Sequence, residues 1–244
     1  MNATRRLSHS ESRPQSDDPQ TPDDAPPHGT TAFELRRMGL QDLTVVTDMH
    51  RAEFREGFFV RLGARFLRRY YRTFLDGPLA TALVCEKDGA VCGYLVGVLD
   101  PAQHRRLLIR HHGASLAISA FASLIWRPRL ALHFLGTRAG RYLRALIKQT
   151  RGAAVTAEPA KLAVLTYVAV DPSVRGQGVG SALVERFLGE AAAAGRTAVC
   201  LVTVAGAGGA GDFYASRGWL NVGDGRRSDG QSLAHYQFLL KREA

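Results

Sequence analysis

The chain reads as an α/β domain, and three features say so. A strand-like run, Leu162 to Val170, stops at Asp171-Pro172 and gives way to a glycine-rich turn and an amphipathic helix pattern. Two more apolar runs, Ala80 to Glu86 and Val91 to Leu99, flank Asp88-Gly89, a strong hairpin signal. Stripes of helical period lie before and after that hairpin. Strands and helices therefore alternate along one chain, which is the signature of a mixed architecture.

The elements follow in order. Residues 1–31 are rich in Ser, Pro, Asp, Gln and Thr and carry almost no large aliphatic side chain. Such a segment cannot bury enough surface to offset its conformational entropy, so it is expected to be a disordered tail, with the folded domain over 32–244. Phe33 to Arg36 alternates as a first strand. Leu40, Leu43, Val46 and Met49 predict a helix over 40–52. A second helix is predicted over 58–75, where Phe59, Leu62, Phe66, Leu67, Tyr70 and Phe74 form a stripe that Gly77-Pro78 ends. The hairpin follows. Residues 102–150 look helical. After the run at 162–170, Val179, Leu183, Phe187 and Ala191 mark a helix from Val179 to Ala194. Ala198 to Val204 reads as a strand, residues around 209–217 as a short helix, and Trp219 to Val222 and Leu233 to Leu240 as the last strands.

At 244 residues and 45% hydrophobic, the chain suits one decorated domain with a sizeable core. Three cysteines, Cys85, Cys92 and Cys200, sit in apolar runs without C-x-x-C spacing, which argues against a disulfide framework or zinc. They read as buried reduced thiols. No apolar N-terminal segment reads as a signal peptide. A cytoplasmic location without a metal is the expectation. The net charge is +10. Residues 1–31 hold three arginines against five acids, so the remainder stands at +12. A basic surface suits a polyanionic ligand, nucleic acid included. No zinc finger, RNP motif or interleaved aromatic stripe supports nucleic acid.

The chemistry concentrates at Arg175-Gly176-Gln177-Gly178-Val179-Gly180-Ser181. Strand, glycine turn, helix start: that order aims several backbone N–H groups at one spot, which suits a pyrophosphate. A plain surface turn is the alternative. The turn is not a Walker loop, because no lysine follows the glycines. Nor is it a dinucleotide fingerprint, because Ser181 stands where a third glycine belongs. What fits is R-x-x-G-x-G over Arg175 to Gly180. Further on come Phe213-Tyr214, three residues, and Gly218-Trp219.

These two motifs resemble those of the GNAT acyltransferase superfamily, which carries [Q/R]-x-x-G-x-[G/A] and FY-x-x-x-GF in this order. The resemblance is clear over about residues 160–222 and weaker over 33–99. It implies a mixed, mostly antiparallel central sheet flanked by helices, with residues 101–157 as a basic helical insert. It implies acetyl-CoA as acyl donor and an amine as acceptor, acylated by direct attack in a ternary complex. By resemblance the pyrophosphate lies on Arg175, Gly176, Gln177, Gly178, Val179, Gly180 and Ser181. A backbone N–H within Val168-Ala169-Val170, beside a bulge that the sequence itself does not show, polarises the acyl carbonyl. Tyr214 protonates the departing thiolate, or else is a core aromatic beside Phe213.

The chain departs from the family in two places. The strands at 162–170 and 198–204 carry no carboxylate, so no glutamate base is evident. By family topology Glu53 and Glu56, in the turn between the first two predicted helices, are the nearest carboxylates for acceptor contact or base, and His50 is also near. Ala207 stands where the family has an asparagine seven residues before the tyrosine. These departures keep open a catalytically inactive CoA-binding or regulatory module, and a basic membrane- or nucleic-acid-associated protein. The insert has ten Arg or Lys and no Asp or Glu. An acceptor lid, a membrane-surface helix and a packed hairpin with a solvated basic face all satisfy that pattern.

Overall fold

A computed structural model describes residues 33–55, 57–125, 161–206, 209–227 and 230–240. The tail at 1–31, Glu56, Ala207 and the insert beyond residue 125 lie outside the described residues. Seven strands form one sheet: β1 (Glu34–Arg37), β2 (Ala80–Lys87), β3 (Ala90–Val98), β4 (Leu162–Val170), β5 (Ala198–Val204), β6 (Leu220–Arg226) and β7 (Ser232–Leu239). Their order is β1-β2-β3-β4-β5-β7-β6. The β4–β5 pair is parallel and the others are antiparallel.

The apolar runs are continuous because both faces of the central strands are covered. On one face lies α6 (Val179–Ala193), packing Val179, Leu183, Val184 and Phe187 with Leu83, Cys85, Leu95, Ala163 and Leu165. On the other lie α1 (Leu43–Glu53) and α3 (Ala64–Arg72), whose Val46, Leu67 and Tyr71 meet Ala82, Val84, Tyr94 and Val96. Along β2 the side chains alternate between these two cores, as a pleated strand requires. Gly97 on β3 lets α6 come close: a Cβ there would lie 2.4 Å from the Phe187 ring. The hairpin turn places both Asp88 (φ 52°) and Gly89 (φ 76°) in the left-handed region, as a two-residue primed turn demands.

The structure alters some expected boundaries. The second helix is not continuous. It breaks into α2 (Phe58–Arg61) and α3 at Gly63, whose φ of 92° no helix accommodates. An apolar stripe that keeps helical phase across the break conceals the glycine. The strand expected at 219–222 runs on to Arg226, because β7 pairs with it along its whole length. The start of the insert is α4 (Pro101–Leu107), a π-helical turn (Leu108–His112) and α5 (Gly113–Ile125). The last short helix is α7 (Gly211–Ala215).

Candidate active site

The glycine turn is built from Asp171 onward. The Asp171 carboxylate accepts from the Ser173 N–H at 2.9 Å and from its hydroxyl at 2.6 Å, which folds Pro172–Val174 into a 3-10 turn. Those bonds hold the Asp171 carboxyl below the usual range. Gly176 (φ 79°) and Gly178 (φ 87°) then turn the chain left-handed into α6. A Cβ on either would meet nothing within 4 Å, so open space lies on that side of the backbone. The first N–H groups of α6, from Val179 to Ser181, have no intrahelical acceptor. Gly180 differs from its neighbours. Its absent side chain faces the Phe213 ring and Val170, both at 3.6 Å, so it serves helix packing rather than ligand approach.

The sheet opens beside this turn. β4 and β5 pair through Leu162–Val164 and Ala198–Cys200 and no further, although both strands continue. Beyond that point the two edges part. On its other edge β4 stays paired to β3, with a register shift between Val96 and Gly97 that leaves Thr166 as the extra residue of a bulge. The Asp171 N–H donates to Cys92 O on β3 at 2.8 Å. In an antiparallel ladder alternate residues turn to opposite edges. Val168 and Val170 therefore aim their N–H groups at the open edge, and Ala169 does not. The Val170 carbonyl on that same edge accepts from Arg175 Nε at 3.1 Å.

Three cations ring the turn. Arg175 binds Glu53 Oε2 at 2.6 Å, joining residues 122 apart in sequence. Lys87 Nζ donates to Gln177 Oε1 at 2.9 Å. Arg217 donates to the Ser181 hydroxyl from Nε (2.9 Å) and Nη2 (2.7 Å) and lies 3.9 Å over the Phe213 ring. Among the described residues neither Lys87 nor Arg217 forms an ion pair. The sequence singled out Arg175. Lys87 and Arg217 lie in the hairpin and in the unspecified part of the second motif, where only a long-range contact reveals them.

Tyr214 stands on α7. It is buried, with ring centroids 5.1 Å from Phe213, 5.4 Å from Trp219 and 6.0 Å from Tyr236. Burial pushes its hydroxyl up to about 12. His50 is drawn into the core instead of the opening. Its Nδ1 lies 2.6 Å from the Tyr71 hydroxyl and 3.1 Å from that of Tyr94, and the two hydroxyls are 2.9 Å apart. The ring also meets that of Tyr167 on β4 edge-on at 4.7 Å. Burial lowers His50 to about 4, so it is neutral near pH 7. Glu53 is committed to Arg175, and Glu56 lies outside the described residues. Among the described residues no group of three His, Cys, Asp or Glu is disposed to hold a metal.

The family model of the acetyltransferase (GNAT) domain matches residues 140–219, which include both motifs. No curated protein matches the sequence. Solved structures share the fold at low identity. Ard1 from Thermoplasma volcanium is 16% identical with a TM-score of 0.53, covering 86% of this chain and 99% of its own. An N-acetyltransferase from Staphylococcus aureus Mu50 is 14% identical with a TM-score of 0.53, covering 86% and 99%. The yncA protein of Salmonella typhimurium, solved with its cofactor acetyl-CoA, is 16% identical with a TM-score of 0.52, covering 87% and 96%. Residues 140–219, both motifs included, are thus similar to the acetyltransferase (GNAT) domain, and the opened mixed sheet around them is the fold that these solved structures share.

Proposed function

We propose that the protein moves an acetyl or other short acyl group from acyl-CoA to a primary amine, by direct attack in a ternary complex. The observation that carries this reading is the conjunction of two empty spaces. The glycine turn offers convergent N–H groups with open space above Gly176 and Gly178, and the sheet parts beside it. A pyrophosphate on the first, with helix N–H groups and Arg217 around it, sends the pantetheine arm along the second. The Val168 and Val170 N–H groups face that edge and can polarise an acyl carbonyl.

Acyl-CoA supplies an activated thioester. In the reaction the amine nitrogen bonds to the carbonyl carbon, the C–S bond breaks, and the sulfur leaves as a thiolate that gains a proton. Tyr214 suits the last step in a restricted way. A hydroxyl held up to about 12 stays protonated throughout the physiological range. It is a weak acid beside a thiol of ordinary pKa near 8.5, so its main service is a hydrogen bond to the developing thiolate. No carboxylate lies on β4 or β5, and His50 is locked in the core. An acceptor amine that arrives neutral, or loses its proton through water, needs no side-chain base.

The absence of a carboxylate from β4 and β5 favours a second reading, a CoA-binding module without turnover. One experiment separates the two. Calorimetry should detect acetyl-CoA binding by the intact protein, and thiol release with a panel of amines should detect turnover. Gly178→Val sets a branched side chain at a φ of 87°, in the open space beside the turn. It should abolish binding while the circular dichroism stays native. Binding without thiol release from any amine would leave the module. Unchanged affinity in the variant would remove the site altogether.

A further inference from the structure

The helices that follow β3 turn one face to the domain and leave the other bare. On the inner face His104 is buried against Phe74, with ring centroids 5.3 Å apart. His112 Nε2 lies 3.0 Å from Asp76, and Leu116 and Ala120 pack on Leu62 and Phe66. Arg69 reaches Ser119. The outer face carries Arg105, Arg106, Leu107, Ile109, Arg110, Ala114, Ala117 and Ile118, all exposed. Ile118 is 65% exposed and Ile109 38%. Residues 101–125 contain no Asp or Glu, and Arg105, Arg106 and Arg110 form no ion pair among the described residues.

Two properties thus share one surface. Exposed aliphatics gain free energy from any apolar partner, in proportion to the area they bury. Three unpaired guanidiniums interleave with them and repel one another until an anion arrives. A polynucleotide would answer the charge but has no use for the isoleucines, and residues 101–120 offer it no Phe, Tyr or Trp ring for stacking. A water–lipid boundary answers both at once, since guanidiniums reach headgroup phosphates while short aliphatics enter the acyl margin. No helix among the described residues is long and apolar enough to cross a membrane, so the contact would be peripheral. We propose that the outer face of α4 and α5 docks on an anionic lipid surface, with Arg105, Arg106 and Arg110 on headgroup phosphates and Leu107, Ile109 and Ile118 at the acyl boundary.

The test is flotation of the full chain with phosphatidylcholine vesicles, with and without phosphatidylglycerol. Binding is expected with the anionic vesicles only. Changing Arg105, Arg106 and Arg110 together to Gln should lower the partition coefficient by roughly two orders of magnitude, each surface cation contributing roughly fivefold. Ile109→Ser with Ile118→Ser should also weaken binding while every arginine remains. All five positions are at the surface, so both variants should melt like the parent. Failure of the parent to float with anionic vesicles would overturn the proposal. So would two variants that float like the parent. Retained flotation in the isoleucine variant, displaced by a polynucleotide, would reassign the face to polyanions in general and overturn the lipid assignment.

Discussion

Arg217 illustrates how a single side chain acquires a role through its neighbours. Its guanidinium is fixed by the Ser181 hydroxyl and the Phe213 ring at the N-terminus of α6, without a carboxylate among the described residues to neutralise it. A helix N-terminus is already positive, so an anion bound there answers both charges. Arg217→Gln should raise the acetyl-CoA Kd by roughly tenfold, at the low end of a charge-assisted hydrogen bond because the site is exposed. A Kd unchanged in calorimetry would confine Arg217 to holding Ser181. Tyr214 is the converse case. Its ring is core, and in the proposed reaction its hydroxyl is the donor to the thiolate, so Tyr214→Phe keeps the packing and removes one donor. We expect kcat to fall by about 10²-fold with acetyl-CoA affinity nearly intact, as for loss of an interaction made in the transition state. A kcat within about twofold of the parent, well short of the usual range for such a donor, would assign Tyr214 to packing alone.

At the scale of elements, the close approach of α6 to the sheet positions the cradle. Phe187 occupies the space above Gly97, and Val179 and Leu183 the space above Gly93, where a Cβ would lie 3.0 Å from Val179 Cγ1. Gly97→Ala would drive a methyl into the Phe187 ring and lift the helix. Overpacking of this kind costs about 1–3 kcal/mol, so the melting temperature should fall by several degrees. Adding Phe187→Leu should restore part of the loss, because it removes the ring atoms that the methyl strikes. Additive losses in the double variant would show that the two positions do not meet. The bulge at Thr166 and the parting of β4 from β5 belong to this scale too. Neither has a marker in the apolar run Leu162–Val170, which reads as an unbroken strand.

Across the whole molecule, the His50–Tyr71–Tyr94 cluster ties α1 and α3 to β3 and links stability to pH. The folded-state pKa of His50 is about 4, below the ordinary 6.5. Above pH 6.5 neither state binds the proton. Below it the unfolded chain does, and the folded protein does not until about pH 4. Stability present above 6.5 is therefore lost as the pH falls through that window, by up to about 3 kcal/mol. Urea titrations at about pH 7.5 and about pH 4.5 should show the loss, and His50→Asn should reduce it, leaving the part of the same sign that buried His104 contributes. An equal loss in that variant would place the responsible group elsewhere. The sequence by itself determined the α/β class, the strand–turn–helix cradle at Arg175 to Ser181, and the paired motif ending at Trp219. Those signals are local: an apolar run, glycines at fixed offsets, a period of 3.6. The tertiary structure alone decided that Glu53 meets Arg175, that Arg217 reaches Ser181, that His50 turns inward, and that β4 leaves β5 after three paired residues. Register and packing between distant segments set those contacts, and a pattern read along one stretch of chain does not encode them.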